Sequence, residues 1–162
     1  MKTLEKRSLD FDTSNFDTQN LLSIYKALLL PRMVEEKMLV YLRQGKISKW
    51  FSGWGQEGIS VGCAYAMDAD EYILPMHRNL GVFTTRDIPL DRLFAQFQGK
   101  ASGYTQGRDR SFHFGAQEHK IVGMISHLGP QLGIADGIAL ANKIKGLQKS
   151  TLVFTGDGGA SE

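Results

Sequence analysis

An aspartate lies between glycines near the end of the chain, in the segment 156–162, which reads Gly-Asp-Gly-Gly-Ala-Ser-Glu. The β-branched and aromatic run 151–155 before it predicts a buried strand that delivers Asp157 into a turn, and the turn predicts the start of a helix. Gly158 and Gly159 are small enough for a phosphate to approach backbone N–H groups there closely. A carboxylate beside a diphosphate is repulsive unless a cation lies between them, so the pairing predicts Mg²⁺ held by Asp157 and phosphate oxygens.

The same turn has other interpretations. Its spacing is G-x-G-x-x-S, close to the dinucleotide fingerprint, but Asp157 stands where direct contact with a pyrophosphate would be repulsive, so nicotinamide binding is disfavoured. A second alternative stays open, in which Asp157 caps the following helix and binds nothing.

A second group of polar residues follows another predicted strand. The run Tyr72-Ile73-Leu74 predicts a strand, and His77 and Arg78 come just after its carboxyl end. Ligands collect at the carboxyl ends of strands in α/β sheets. Taken alone, an arginine at such a position is more often a surface salt-bridge partner than a ligand contact.

Composition predicts one ordinary globular domain or part of one, and it limits the classes of molecule that the chain is expected to bind. The chain has 162 residues, 42% hydrophobic and 22% charged, with a net charge of +2. This balance excludes disorder and argues against nucleic acid or membrane lipid as the main partner. The single Cys63 cannot form a disulfide within the chain and is expected to be buried in a reducing compartment. The sequence shows neither a signal peptide nor a run of membrane-spanning length, so we expect a cytoplasmic protein.

The elements that must position these residues begin with a long amphipathic helix. Asp17 or Thr18 is the predicted cap, Pro31 is expected to kink or interrupt the helix, and Gly45 is the expected stop. Glu35 and its neighbour Glu36 are expected to form an exposed, salt-bridged face. The predicted organisation is an N-terminal tail, 1–19, followed by the N-terminal part of one domain, 20–162.

Further helices are predicted at 56–66, 90–98 and 131–145. Gly58 and Gly62 in the first of these predict a close approach of backbones. The acidic loop 68–71 is expected to form turns and caps rather than a metal site. Strands that alternate with helices predict an α/β fold with a parallel sheet.

From about residue 22 to residue 162 the chain resembles the alpha subunit of the thiamine-diphosphate-dependent decarboxylating component of 2-oxo acid dehydrogenase complexes, more the branched-chain type than the pyruvate type. Several spaced motifs in the right order carry this resemblance. They are 44–48 (Gln-Gly-Lys-Ile-Ser), 55–58 (Gly-Gln-Glu-Gly), Arg78, 107–113, 126–128 (Ser-His-Leu) and 156–158 (Gly-Asp-Gly).

The resemblance implies the thiamine-diphosphate-binding fold, a mostly parallel sheet flanked by helices, here incomplete at its C-terminus. It implies that Asp157, in the turn with Gly156, is one Mg²⁺ ligand, and that a later Asn beyond residue 162 is another. It also implies that Arg78 grips the diphosphate, while His77 replaces the family's Tyr and keeps one hydrogen bond to donate.

The resemblance further places Ser126 and the backbone carbonyl of Leu128 near the aminopyrimidine of the cofactor. A potassium ion is bound by this loop in some relatives; Gln131 matches a ligand there, but Pro130 replaces a hydroxyl residue, which leaves the ion in doubt. His113 is expected to line the pocket and His119 to be solvated. Together with His127, these histidines have no ordinary zinc spacing.

The implied function is oxidative decarboxylation of a 2-oxo acid, with a branched-chain substrate favoured and the acyl group passed to a lipoyl domain. The implied partners are a beta subunit or a fused beta domain and a lipoyl-bearing acyltransferase, in an α2β2 assembly or a homodimer of a fusion. The alternatives are a pyruvate or acetoin dehydrogenase, or a non-catalytic fragment that binds a partner subunit through its first helix and the Trp50 and Trp54 loop. The chain alone is expected to have no turnover.

Overall fold

The computed structural model describes residues 11–124, 126 and 128–161. Its elements in chain order are α1 (Thr18–Arg43), α2 (Glu57–Tyr65), β1 (Tyr72–Leu74), α3 (Leu80–Thr85), α4 (Leu90–Phe97), a 3-10 helix (Gln117–His119), α5 (Gly129–Ile144), β2 (Thr151–Val153) and α6 (Asp157–Ala160). No helix among the described residues is long and apolar enough to cross a membrane.

β1 and β2 form a parallel pair, with Ile73 opposite Leu152. On the other edge of β1, Ile73 forms a parallel bridge with Ile121. The predicted α/β class with parallel strands is therefore confirmed, and the described part of the sheet is short. Because β1 lies between the other two segments, its carboxyl end is the middle of this sheet edge.

Helix α1 begins as predicted, because Asp17 caps it by accepting a hydrogen bond from the N–H of Asn20 at 2.7 Å. The expectation was a kink or an interruption at Pro31; the helix runs on through this residue, so the interruption does not occur and the kink stays a prediction. Proline removes one donor from the helical ladder. Burial of Pro31 and Met38 on the face that packs against α2 and α3 holds both halves in one helix. Gly45 follows the helix with a φ of 68°, as expected of a stop.

Aliphatic and aromatic side chains from most of the helices and strands up to residue 124 share one core. Its largest fully buried apolar members come from α1, β1, α3 and α4 and from the segment after the 3-10 helix. They are Met38, Ile73, Leu80, Phe83, Leu93 and Ile121. Cys63, expected to be buried, is only half-buried and is a free thiol.

The close approach predicted at Gly58 and Gly62 does not occur within the described part of the chain, because a Cβ at either position would meet none of its atoms within 4 Å. The tight contact between α2 and α3 involves Gly81 instead. A Cβ on Gly81 would lie 2.4 Å from the hydroxyl oxygen of Ser60, on the facing side of α2. Glycine is thus required on α3, whereas the glycines of α2 face outward.

The acidic loop before β1 ties the two strands together. The carboxylate of Glu71 accepts hydrogen bonds from the backbone N–H groups of Ser150 and Asp68, the first of which directly precedes β2. These two bonds lower the pKa of Glu71, so its carboxylate is negatively charged at neutral pH. The side chains of Asp70 and Lys149 form an ion pair beside it. The expected turn-forming role of this loop is confirmed for Glu71.

A buried carboxylate links α1 to α2 and predicts a pH dependence of stability. Arg32 donates to Glu57 through two nitrogens, at 2.6 and 2.9 Å, and this hydrogen bonding lowers the pKa of Glu57 from its ordinary 4.5.

The contribution of this ion pair to the free energy of unfolding is complete above pH 4.5 and is lost as the pH falls through the lower, folded-state pKa of Glu57. We expect Glu57→Gln to flatten this acid limb in urea titrations, whereas an unchanged limb would contradict the assignment.

Candidate functional site

The two polar segments singled out in the sequence follow neighbouring strands. His77 and Arg78 come after β1, and the 156–160 turn comes after β2. Because the strands are parallel and in register, both segments leave the same edge of the sheet.

The turn after β1 is held by an asparagine. Asn79 is 1% exposed, and its side-chain oxygen accepts a hydrogen bond from the N–H of Met76 at 2.8 Å. The bond closes a short turn that contains His77 and Arg78. In the sequence Asn79 follows His77 and Arg78 just beyond the strand, and Asn is a usual residue for such a turn.

His77 is half-buried, with its ring edge-on to Phe51 at 4.8 Å between centroids. Burial lowers its pKa, and the charges of Arg78 and His113 lower it further. The imidazole is therefore neutral at pH 7, with one N–H to donate. Arg78 is exposed, and none of the ion pairs within the described part of the chain includes it.

The turn after β2 opens helix α6 as expected, with Gly156 as the cap residue. Asp157 is the first helical residue and its carboxylate is exposed. Since Gly156 is the cap and Asp157 is already inside the helix, the capping part of the alternative interpretation is wrong, and the ligand role of Asp157 stays a prediction. Gly158 is exposed, and no atom of the described residues lies within 4 Å of a Cβ built on it.

The loop that contains Ser126 and Leu128 lies against this turn. A Cβ on Gly159 would be 3.6 Å from the Cβ of Leu128 and 3.7 Å from the N of Gly129. The carbonyl of Leu128 accepts a bond from the N–H of Gln131 at 3.2 Å, which leaves one lone pair for another donor.

Ser126 links this loop to a cavity. It is exposed, and its hydroxyl is 2.9 Å from Nε2 of His113. His113 lines the cavity as expected. His119 was expected to be solvated and is instead half-buried, with Nδ1 2.7 Å from the carbonyl oxygen of Arg86, while His127 lies outside the described residues.

The cavity has a volume of about 490 Å³. Its walls include Phe51, His77, Phe97, Phe112 and His113. Lys46, Lys49 and Arg110 also line it, and Asp109 is the one carboxylate among the described lining residues. Aromatic walls and an excess of cations suit an anion that carries an apolar part.

One wall of this cavity depends on a residue that the sequence interpretation placed wrongly. Glu35, expected on an exposed face, is 1% exposed, while Glu36 beside it is exposed. The carboxylate of Glu35 accepts hydrogen bonds from Trp50, Ser52 and Gly53. These partners are on a loop far along the chain, so helix periodicity gave no signal for the contact.

Residues 25–162 match the family described as dehydrogenase E1 component. The chain belongs to this family. The 2-oxoisovalerate dehydrogenase alpha subunit of Homo sapiens, named as mitochondrial, is 33% identical over 144 residues, which are 89% of this chain and 32% of that protein.

Two further relatives have the same name. The Caenorhabditis elegans 2-oxoisovalerate dehydrogenase alpha subunit, also named as mitochondrial, is 34% identical over 91% of this chain and 35% of its own length. The Bacillus subtilis (strain 168) alpha subunit is 32% identical over 89% of this chain and 44% of its own length. The predicted resemblance to branched-chain alpha subunits is confirmed, and the chain spans less than half the length of these relatives.

The E1 family generally uses thiamine diphosphate, and the residues at this sheet edge fit such a group. The turn after β2 is built of small residues, and no hydrogen bond joins the side chains of Asp157 or Arg78 to another described residue. A free carboxylate suits Mg²⁺ and a free guanidinium suits a diphosphate. Within the described residues no three His, Cys, Asp or Glu side chains form a metal site, so Asp157 would be one ligand among several.

Proposed function

We propose that this chain supplies the diphosphate-binding part of a thiamine-diphosphate-dependent 2-oxo acid dehydrogenase, with a branched-chain 2-oxo acid as the favoured substrate. The observation that carries the proposal is the adjacency of the His77 and Arg78 turn to the Asp157 turn at the ends of two paired parallel strands. Family membership and the alpha-subunit relatives support the same reaction class.

In this proposal Arg78 binds the diphosphate through two N–H groups, and neutral His77 donates one hydrogen bond without adding charge. Asp157 is a Mg²⁺ ligand, and Gly156, Gly158 and Gly159 let backbone N–H groups face the phosphate. When bound, thiamine diphosphate supplies the electron sink for decarboxylation of the 2-oxo acid.

The loop beside the 156–160 turn orients the rest of the cofactor. The Ser126 hydroxyl and the Leu128 carbonyl are proposed to contact the aminopyrimidine, and His113 fixes the hydroxyl through their 2.9 Å contact. A potassium ion at this loop stays a prediction. Gln131 is buried and its Oε1 has no partner among the described residues, but its Nε2 is engaged with the carbonyl of Phe154 at 3.3 Å.

The cavity beside His77 suits the 2-oxo acid. Lysine and arginine side chains can hold a carboxylate, and the phenylalanine walls can cover an aliphatic chain. Completion of the active site is proposed to come from a beta subunit or fused beta domain, in an α2β2 assembly or a homodimer of a fusion. The acyl group then passes to a lipoyl-bearing acyltransferase. No nucleic acid or membrane enters this proposal, and the proposed compartment is the cytoplasm.

A non-catalytic role in subunit binding is the second candidate. It is favoured by the exposed apolar side chains of α1, among them Tyr25 at 61% and Met33 at 57% exposure. Trp54 of the proposed loop is exposed, whereas Trp50 is half-buried and packs on Phe97, so Trp54 offers the larger surface to a partner.

The assembled enzyme, expressed from the complete reading frame with any separate beta subunit, tests the proposal. We expect Mg²⁺-dependent binding of thiamine diphosphate and decarboxylation of branched-chain 2-oxo acids in preference to pyruvate. Preference for pyruvate would support the pyruvate or acetoin alternative. A stable subunit complex with no cofactor binding would support the non-catalytic one.

Arg78→Ala is expected to weaken thiamine diphosphate binding by about 1.5–3 kcal/mol, the usual scale for a hydrogen bond to a charged group. Calorimetric titration of the assembled enzyme measures the change, and Arg43→Ala, which removes another exposed arginine in the last turn of α1, is the matched control. A loss of thermal stability with unchanged affinity would return Arg78 to the role of a surface residue.

A further inference from the structure

A buried carboxylate of α1 holds the loop that forms one wall of the site. One oxygen of Glu35 accepts from the indole N–H of Trp50 at 2.7 Å and from the hydroxyl of Ser52 at 2.9 Å. The other accepts from the backbone N–H of Gly53 at 2.8 Å. Three donors converge on one carboxylate, so the 50–53 loop has little freedom to move relative to α1.

The 50–53 loop in turn lies directly against the turn that carries His77 and Arg78. A Cβ on Gly53 would come within 2.2 Å of the carbonyl oxygen of Arg78, so the two backbones are in contact. Phe51, from the same loop, packs edge-on against the His77 ring. The loop thus touches both residues proposed to contact the diphosphate.

The loop also packs against two further walls of the cavity. The Trp50 ring lies 4.9 Å from the ring of Phe97 and 5.2 Å from that of Phe112, both of which line the cavity. Its indole N–H is the group bound by Glu35. One carboxylate therefore fixes the loop at a point between the cavity walls and the strand-end turn.

We propose that Glu35 is a positioning residue for the diphosphate site, which acts by holding the 50–53 loop against His77 and Arg78. The inference rests on the proposed function, since it gives Glu35 a role in cofactor affinity. Glu35 touches neither side chain of the site by hydrogen bonding; its effect passes through the backbone contact of Gly53 and the ring contact of Phe51.

Glu35→Gln tests the proposal with little change of volume. An amide has one oxygen to accept and places an N–H₂ group against donors, so the three bonds cannot all be kept. The matched control is Glu36→Gln, at the exposed neighbouring position. Ser52→Ala, which removes one donor of the three, is the milder variant if Glu35→Gln fails to fold.

Two readouts separate positioning from simple stability. In tryptophan-labelled assembled enzyme, the Trp50 indole N–H resonance is expected to move upfield in Glu35→Gln and to stay in place in Glu36→Gln. Titration with thiamine diphosphate and Mg²⁺ is expected to show affinity about tenfold to a hundredfold weaker, the scale found for groups that orient ligand residues. The loss should be smaller in an Arg78→Ala background, because the part that acts through the Arg78 side chain is then already absent, whereas the part that acts through His77 remains.

Affinity that is unchanged in Glu35→Gln and in Ser52→Ala, while the wild type binds the cofactor, would overturn the positioning role alone. A fully additive loss in the Arg78→Ala background would also overturn it. Absence of binding by the wild type would overturn the proposed function itself, and with it the role of Glu35 in affinity. The indole resonance distinguishes these cases, because it reports the loop without any cofactor.

Discussion

Asp157→Ala is expected to abolish the Mg²⁺ dependence of thiamine diphosphate binding. The carboxylate stands at the first position of α6, exposed and without a capping role, at the sheet edge it shares with Arg78. Without a cation, this carboxylate and a diphosphate would repel each other. Its removal therefore takes away a ligand of the bridging ion, and affinity at saturating Mg²⁺ should fall by more than about a hundredfold, or about 2.7 kcal/mol.

Calorimetric titration of the assembled enzyme with and without Mg²⁺ is the measurement. Asp136→Ala is the matched control, because Asp136 is another exposed carboxylate on a helix. Neither variant should change the free energy of unfolding by more than about 0.5 kcal/mol, as is usual for surface positions. Affinity that responds to Mg²⁺ equally in both variants would remove Asp157 from the ligands.

The local elements were largely predictable from the sequence. The strand predicted at Tyr72-Ile73-Leu74 is β1, and the helices predicted at 90–98 and 131–145 are α4 and α5 with small shifts at their ends. Gly99 follows α4 with a φ of 66°, a conformation that favours glycine and ends a helix. These features depend on short-range periodicity and on stop residues, which a sequence displays directly.

Helix α3 was not predicted, because its sequence lacks the periodicity that identified the other helices. Its sequence, Leu-Gly-Val-Phe-Thr-Thr, has no polar face, and its first five residues are all buried. A short apolar run with β-branched residues does not show a helical period, so its conformation depends on the packing around it. Contacts with α1 and α2 provide that packing.

One part of the candidate site was predictable from the sequence and another part was not. The turns that carry Arg78 and Asp157 were predictable because each follows a strand of recognisable composition. The support of those turns was not, because Glu35 and its three partners meet only in the folded chain. Glu36 stands beside Glu35 on a helix with several lysines and arginines, so the sequence favoured an exposed, salt-bridged position for both glutamates. Only tertiary packing decides which of two neighbouring carboxylates faces inward.

Gly53→Ala is expected to be the most disruptive single methyl addition in this region. Gly53 is buried, and a Cβ there would lie 2.2 Å from the carbonyl oxygen of Arg78 and 3.1 Å from its carbonyl carbon. The obstacle is backbone, which cannot rotate away as a side-chain end can. Relief requires the 50–53 loop or the turn of His77 to move, so we expect a loss of about 1–3 kcal/mol in the free energy of unfolding.

Gly58→Ala is the matched control, because it adds the same methyl group in α2, the helix that follows the 50–53 loop. Its Cβ would meet nothing within 4 Å, and the position is exposed inside α2. Alanine should stabilise that helix by about 0.5–1 kcal/mol, so the two variants should change the urea midpoint in opposite directions. Because the displaced backbone carries Arg78, Gly53→Ala should also weaken thiamine diphosphate binding in protein that remains folded. A Gly53→Ala protein with wild-type stability would show that the loop is not held against the Arg78 carbonyl.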